Sequence, residues 1–340
     1  MKRTFNLSVS LILSVGLIWF GFRDVHPSEV ARSLSQAHVG YVVLAVILGL
    51  VSFFGRALRW RALTRHLKPA ISLRNLFSCT VIGFMLSYIL PGKIGELARP
   101  ILLAGREGIS KGSAIGTVAV ARMMDFLAVL LLLSIYLIAF SDRLPADGSG
   151  WIAQFRTYRT VLGIAVLAGV VALYAAVLAR EPLFQNLERR THPERWPRRV
   201  VDFFHALVRG FEILKGPKAL VVGMLYTLAS WVLIDLSILS CLKAFDVSMD
   251  FADVFLLIAF LAVGISVPTP GGVGGYQEMG KLCLTGIFRV ESGKALAVAW
   301  AQWFIAVIPV VILGAILIWT EGMTVGQVGR MIRKEKETSP

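Results

Sequence analysis

The chain has 340 residues, of which 56% are hydrophobic and 16% charged, and it carries a formal net charge of +14. A mean hydropathy of +0.72 lies far above that of soluble globular domains and predicts an all-α polytopic membrane protein. The long apolar runs exclude a β-barrel, whose strands alternate in short segments. The basic residues lie between those runs, which favours positive-inside topology over nucleic-acid binding.

Eight apolar stretches follow one another along the chain. They lie at about 7–22, 39–55, 76–90, 113–140, 160–179, 218–242, 251–267 and 294–320. Several reach the roughly 20 residues that a membrane-spanning helix needs. The first stretch follows Met1-Lys2-Arg3 and has no small-x-small cleavage site after it. We therefore expect a retained first span rather than a signal peptide.

The connections between these stretches differ in charge. Residues 56–74 carry six Lys or Arg and no acid, and the 180–217 connection is also rich in Lys and Arg. Both connections, together with the tail at 323–340, are predicted to be cytoplasmic, whereas the acidic connection at 243–253 suits the outer side. This topology places both termini in the cytoplasm.

Two Pro-Gly elbows interrupt the apolar pattern, at Leu90-Pro91-Gly92 and at Thr269-Pro270-Gly271-Gly272. The 76–90 limb has 15 residues. As a helix it spans roughly 22 Å, whereas the hydrocarbon core is roughly 30 Å thick. With the charge topology, this predicts a re-entrant hairpin that returns through 94–106 and opens to the cytoplasm. The same argument predicts a second hairpin, 251–267 and 276–288, which opens to the outside. The alternative is two ordinary kinks in continuous helices.

The two halves match element by element with inverted topology. Their elbow prolines, Pro91 and Pro270, are 179 residues apart. We therefore predict two inverted-topology repeats at 1–145 and 146–322, with about six full spans and two re-entrant helical hairpins. Broken helices at matching places in two halves indicate a transport site.

The elbows have a chemical consequence. Proline removes a backbone donor and glycine permits the reversal, so the helices that resume present free N–H groups, which favour anions such as phosphate. The backbone positions predicted to matter are Pro91, Gly92, Gly95, Pro270, Gly271, Gly272 and Gly274.

Ionisable side chains inside apolar segments are costly and indicate function. The predicted substrate-binding or transport residues are Glu96, Arg99, Arg122, Asp125, Asp235, Gln277 and Glu278. Arg122 and Asp125 either form a structural pair within one helix or contact the substrate. Asp235 either makes a polar contact between helices or carries a proton or substrate contact.

Metal and cofactor chemistry find no support in the sequence. Cys79, Cys241 and Cys283 lie in apolar segments without CxxC pairing, and no histidines pair at metal-ligand spacing. We expect no catalytic residues, no metal and no cofactor.

Three motifs in order give the chain a family resemblance. They are Leu90-Pro91-Gly92-Lys93-Ile94-Gly95-Glu96-Leu97-Ala98-Arg99, then Ala121-Arg122-Met123-Met124-Asp125, then Pro268-Thr269-Pro270-Gly271-Gly272-Val273-Gly274. Over roughly residues 5–320 the sequence resembles the lysylphosphatidylglycerol synthase transmembrane, or flippase-like, family. The resemblance implies a bacterial inner-membrane protein with a lipid-translocating fold. The family's elbow Glu and Arg match Glu96 and Arg99, and its Arg-x-x-Asp pair matches Arg122 and Asp125.

The sequence departs from the family pattern in two places. Family members often have Glu seven residues after the second elbow proline, where this chain has Gln277 followed by Glu278. A shift of one residue turns a helical side chain by about 100°, so either residue is a candidate to face the cavity. The soluble aminoacyl-transferase domain of bifunctional members has no counterpart in this sequence, which predicts a stand-alone member.

The function predicted from these features is transport of a membrane lipid with a phosphate-containing headgroup, anionic or zwitterionic and aminoacylated or glycosylated in some family members. Two alternatives stay open. One is an integral-membrane enzyme acting on lipid-linked substrates, and the other is a non-catalytic partner of a lipid synthase.

Overall fold

The computed structural model describes residues 26–90, 94–140, 142, 151–178, 217–267 and 269–322. Over these residues the chain is all-helical and contains ten α-helices. The predicted first span at 7–22, the elbow residues Pro91 and Gly92, the 180–217 connection and the 323–340 tail lie outside the described residues.

The helices are α1 (Pro27–Ser35), α2 (Val39–Thr64), α3 (Leu73–Ile89), α4 (Ile94–Glu107), α5 (Lys111–Ile135), α6 (Trp151–Leu178), α7 (Pro217–Ala244), α8 (Phe251–Ser266), α9 (Gly275–Gly286) and α10 (Ser292–Thr320). A π-helical turn, Tyr136–Phe140, extends α5. Among the described residues, four segments are long and apolar enough to cross a membrane: Val39–Thr64, Lys111–Phe140, Ala219–Ala244 and Ser292–Thr320. The chain is therefore a helical membrane protein.

Two sequence predictions need correction. Helix α2 continues to Thr64, so Arg56, Arg59 and Arg61 are helical residues and not part of a connection. The reason is that their neighbours Ala57, Trp60 and Leu63 keep helical spacing and are buried. Helix α6 begins at Trp151, before the predicted apolar stretch at about 160–179. The structure also shows the short helix α1 before α2.

Both short helices that lead into an elbow end in the same way. Helix α3 ends at Ile89 and Leu90 is extended, with φ −96° and ψ 138°. Helix α8 ends at Ser266 and Val267 is extended, with φ −60° and ψ 131°. Leu90 and Val267 each precede a proline, whose ring disfavours helical geometry in the residue before it. The prolines therefore set both helix ends.

Helices α3 and α4 pack against each other, and so do α8 and α9. In both pairs glycine allows backbone contact. A Cβ at Gly95 would overlap the carbonyl oxygen of Gly83, and a Cβ at Gly275 would overlap the carbonyl oxygen of Gly264. Such close approach requires the absence of a side chain.

The buried apolar residues form two main cores. One contains parts of α2, α3, α4 and the first half of α5. The other contains α8, α9, the second half of α7 and the first half of α10. A third, small cluster consists of Phe53, Val81 and Val310. Cys79 belongs to the first core, and Cys241 and Cys283 belong to the second.

Candidate functional site

Four arginines from three helices converge between the two cores. Arg56 and Arg59 come from α2, Arg99 from α4 and Arg122 from α5. Arg59 is 1% exposed and Arg99 4% exposed. Arginines buried to this degree inside a membrane protein need partners or a ligand.

Asp125 is the main carboxylate partner in the cluster. Arg59 binds it with both terminal nitrogens, Nη1 to Oδ1 at 2.5 Å and Nη2 to Oδ2 at 3.2 Å. Thr227 Oγ1 on α7 accepts a further hydrogen bond from Arg59 Nη1 at 3.3 Å. This fork geometry is the strong form of an arginine–carboxylate pair, and it ties α2 to α5 and α7.

Arg122 lies between two carboxylates. Its Nη2 is 3.2 Å from Glu96 Oε1 on α4, and its Nη1 is 3.5 Å from Asp125 Oδ2. The predicted Arg122–Asp125 pair is present, but Asp125 is bound more closely by Arg59. The structure also brings Glu96 to Arg122.

Arg99 and Arg56 are held by aromatic rings. The guanidinium carbon of Arg99 lies 4.8 Å from the centroid of Trp60, and that of Arg56 lies 4.9 Å from the centroid of Phe84. Within the described residues neither arginine has a carboxylate in salt-bridge range, and the Nε of each is buried without a hydrogen-bond partner. Cation–π contacts stabilise these charges but leave their N–H groups unpaired.

A cavity of about 180 Å³ adjoins the cluster. Its walls are formed by α2, α3, α7, α8, α9 and α10. They are mainly apolar and aromatic, and their polar members include Arg56, Tyr88, Trp231, Tyr276 and Gln302. An apolar chamber with a few polar groups is typical of a ligand site.

The second elbow closes against the end of α3. Gly271 has φ 61° and Gly272 φ 73°, values that favour glycine. A Cβ at Gly271 would lie 3.1 Å from the carbonyl oxygen of Tyr88. Trp303 Nε1 donates to the Gly271 carbonyl at 2.9 Å. The elbow is therefore packed between α3 and α10.

Gln277 and Glu278 have different surroundings. Gln277 is 2% exposed, and its Oε1 accepts a hydrogen bond from the Gly274 N–H at 2.7 Å. It caps α9, so this N–H of the second elbow is already paired. Glu278 is half-buried, and its Oε1 has no partner in the described residues. Neither side chain lines the cavity; their neighbour Tyr276 does.

Asp235 stands apart from the arginine cluster. It is 0% exposed, and neither carboxylate oxygen has a hydrogen-bond partner among the described residues. Its helix contributes Trp231, Ile234 and Ser237 to the cavity. Sequence reasoning identified Asp235 but missed these neighbours.

Two ion-pair groups fasten the far end of α4. Glu107 accepts hydrogen bonds from Lys68 Nζ at 2.8 Å and Asn75 Nδ2 at 2.7 Å. Burial raises the pKa of this carboxyl, but the hydrogen bonds outweigh that effect and the pKa lies below its usual value. Arg106 Nη2 binds Glu321 Oε2 at 2.5 Å. Helix α4 is thus tied to the α2–α3 connection and to the end of α10.

Fold and site together define a polytopic helical membrane protein with an arginine-rich cluster beside an apolar chamber. The sequence matches the family described as the lysylphosphatidylglycerol synthase TM region over residues 7–314, and the chain belongs to that family. This confirms the family predicted from the three motifs.

Curated relatives are similar at lower identity. A UPF0104 membrane protein of Methanothermobacter thermautotrophicus is 29% identical over 270 residues, covering 74% of this chain and 76% of that protein. The protein named glycosyltransferase AglD of Haloferax volcanii is 23% identical over 324 residues, covering 88% of this chain and 52% of that protein. The chain therefore spans about half the length of AglD.

Proposed function

We propose that the protein transports a lipid with a phosphate-containing headgroup between the two leaflets of a membrane. The observation that carries this proposal is the excess of positive charge, part of it fully buried, beside the cavity. Arg56, Arg59, Arg99 and Arg122 face two carboxylates, Asp125 and Glu96, which leaves a formal charge of +2 among the described residues of the cluster.

That excess needs an anion. An unpaired charge in a low-dielectric interior is costly, and membrane proteins accept it where it serves a substrate or ion. Within the part of the chain that the structure describes, the Nε–H groups of Arg99 and Arg56 have no partner, and planar guanidinium groups match phosphate oxygens well. A lipid phosphate would supply the missing negative charge while its chains remain with the apolar helices.

The proposed transport route uses two inverted halves, 1–145 and 146–322, each with a re-entrant hairpin. Two observations support the correspondence. The leading helices α3 and α8 are each followed by one extended residue and then a proline, and the pairs Gly83–Gly95 and Gly264–Gly275 bring the two limbs of each hairpin together. Rocking of such halves around a midplane site would expose the cavity to each leaflet in turn.

The family supports a role with lipids, because its name refers to the synthase of a phospholipid. We place the protein in the bacterial cytoplasmic membrane with both termini on the cytoplasmic side, on the strength of the basic connections. Asp235 and Glu96 are our candidates for coupling transport to protons, since no nucleotide-binding motif occurs in the sequence.

The test is transport by the purified protein in proteoliposomes. A fluorescent phosphatidylglycerol in the outer leaflet is followed by quenching with a reductant that does not cross the bilayer. We expect the fraction of fluorescence that is protected from the reductant to change faster in proteoliposomes than in protein-free vesicles. We also expect mass spectrometry to recover the lipid unchanged. Equal rates with and without protein would refute transport.

The similarity to AglD keeps an enzyme acting on lipid-linked substrates as a second candidate. The match leaves about half of AglD uncovered, so the activity in its name belongs to a longer protein. Turnover of a labelled lipid in detergent, where no leaflets exist, would favour this candidate. Stable co-purification with a lipid synthase, without transport or turnover, would instead favour a partner role.

A further inference from the structure

The described lining of the cavity carries a positive charge and no negative charge. Of its twenty described lining residues, Arg56 is the one with a charged side chain, and none is Asp or Glu. The other polar members are serine, tyrosine, tryptophan and glutamine residues. The chamber therefore offers a cation and neutral hydrogen-bonding groups, and no carboxylate.

Two carboxylates near the chamber are engaged by arginines. Asp125 is bound by both terminal nitrogens of Arg59, and Glu96 is bound by Arg122. Asp235 and Glu278 have carboxylate oxygens without partners among the described residues, but neither residue lines the chamber. An ammonium group entering the chamber would therefore meet Arg56 with no carboxylate among the described lining residues, and like charges repel strongly in a low-dielectric site.

Neutral polar atoms at the chamber remain unpaired. Within the described residues, Trp231 Nε1 and Gln302 Oε1 are buried without hydrogen-bond partners. Trp231 lies next to the chamber's cation, since its ring is 6.0 Å from the guanidinium carbon of Arg56. An indole donor and an amide acceptor are the groups that pair with hydroxyls, and buried polar groups normally have such partners.

We propose that the cargo is an anionic lipid whose phosphate carries an uncharged, hydroxyl-bearing group, and that aminoacylated lipids are excluded. The phosphate binds at Arg56, with Arg99 beside the chamber on the same Phe84 ring, and the hydroxyls pair with Trp231 and Gln302. This inference rests on the proposed lipid site and names its substrate class. A lysyl headgroup, which the family name suggests, would bring an ammonium into a chamber whose described lining holds no carboxylate.

Binding in detergent tests this inference without requiring transport. Native mass spectrometry would compare lipids with identical acyl chains: phosphatidylglycerol, phosphatidylpropanol, which lacks the two hydroxyls, and lysylphosphatidylglycerol. We expect phosphatidylglycerol to bind at least tenfold more tightly than lysylphosphatidylglycerol and several-fold more tightly than phosphatidylpropanol. Equal or tighter binding of the lysyl lipid would overturn the exclusion, and equal binding of phosphatidylpropanol would overturn the hydroxyl contacts.

A variant and a soluble competitor sharpen the test. Gln302→Leu is expected to remove the preference for phosphatidylglycerol over phosphatidylpropanol, whereas Thr320→Val, an exposed change on the same helix, is expected to keep it. An unchanged preference in Gln302→Leu would overturn the contact with Gln302. Glycerol 1-phosphate at the lipid's concentration should leave the lipid bound, and displacement would overturn the assignment to a lipid.

The outcomes separate this inference from the proposed transport. Selective binding of phosphatidylglycerol by a protein that gives no translocation would refute transport and keep the headgroup assignment. Translocation with a preference for the lysyl lipid would support transport and refute the headgroup assignment. The comparison of lipids on the unmodified protein decides the headgroup even where a variant fails to fold.

Discussion

Phe84 is the residue around which the arginine cluster is arranged. The guanidinium carbons of Arg56, Arg122 and Arg99 lie 4.9, 5.1 and 5.9 Å from its ring centroid. Arginine is weakly hydrated and stacks on aromatic faces. The ring therefore lets several cations approach one another with few carboxylates. Within the described residues it leaves the Nε–H groups of Arg56 and Arg99 without a partner, so that they are available to an anion.

The sequence pointed to Arg99, Arg122, Asp125 and Glu96 because each interrupts an apolar stretch. It failed at Arg56 and Arg59, since they follow the last apolar residues of the 39–55 stretch and resemble a basic connection. The signal in the sequence is helical spacing. Arg59 follows Arg56 by three residues, Leu63 follows Arg59 by four, and Trp60 lies beside them on the buried face. The partner of Asp125 depends on how α2 packs on α5, which no local pattern contains.

Asp125 provides the prediction at the residue scale. Asp125→Asn leaves Arg59 buried without its carboxylate, and removing one member of a buried pair costs about 3–5 kcal/mol. We expect a clearly lowered free energy of unfolding in detergent. The double change Arg59→Met with Asp125→Leu removes both charges and should recover most of that loss. An Asp125→Asn protein with the same free energy of unfolding as the unmodified protein would contradict the structural role of the pair.

At the scale of elements, the ends of the four short helices beside the elbows were the most predictable feature. The predicted limbs 76–90 and 94–106 correspond to α3 and α4, and 251–267 and 276–288 correspond to α8 and α9. Apolar runs and prolines fix these limits locally. The packing of one limb on the other was less predictable, because it depends on glycines that face each other only after folding.

Gly95 tests that packing. Gly95→Ala would force a Cβ into the backbone of Gly83 and Ser87, so the two limbs must separate. Gly105→Ala is the matched control in the same helix, because no atom lies within 4 Å of its Cβ position. We expect thermal unfolding in detergent to show a large loss of stability for Gly95→Ala. The control should gain about 0.5–1 kcal/mol in the free energy of unfolding, because alanine is preferred over glycine in a helix. Equal stability of the two variants would contradict the contact.

On the scale of the whole molecule, the chamber lies against the second core and the small third cluster. Its walls take Phe53 and Val310 from the small cluster and Leu261, Tyr276 and Ile305 from the second core. The sequence predicted a site beside the elbows but named Gln277 and Glu278 rather than Tyr276. The side of α9 that faces the chamber is set by the capping contact of Gln277 with Gly274 and by the packing of α9, neither of which is visible in an apolar pattern.

The central claim is that the unpaired arginines carry a lipid phosphate during transport. The most direct measurement is the translocation rate of fluorescent phosphatidylglycerol in proteoliposomes containing Arg56→Gln with Arg99→Gln. The matched control is Arg61→Gln with Arg65→Gln, two exposed arginines of the same basic region. We predict at least a tenfold lower rate for the first pair, with folding retained in detergent, and an unchanged rate for the control. Equal rates in both double variants would contradict the account.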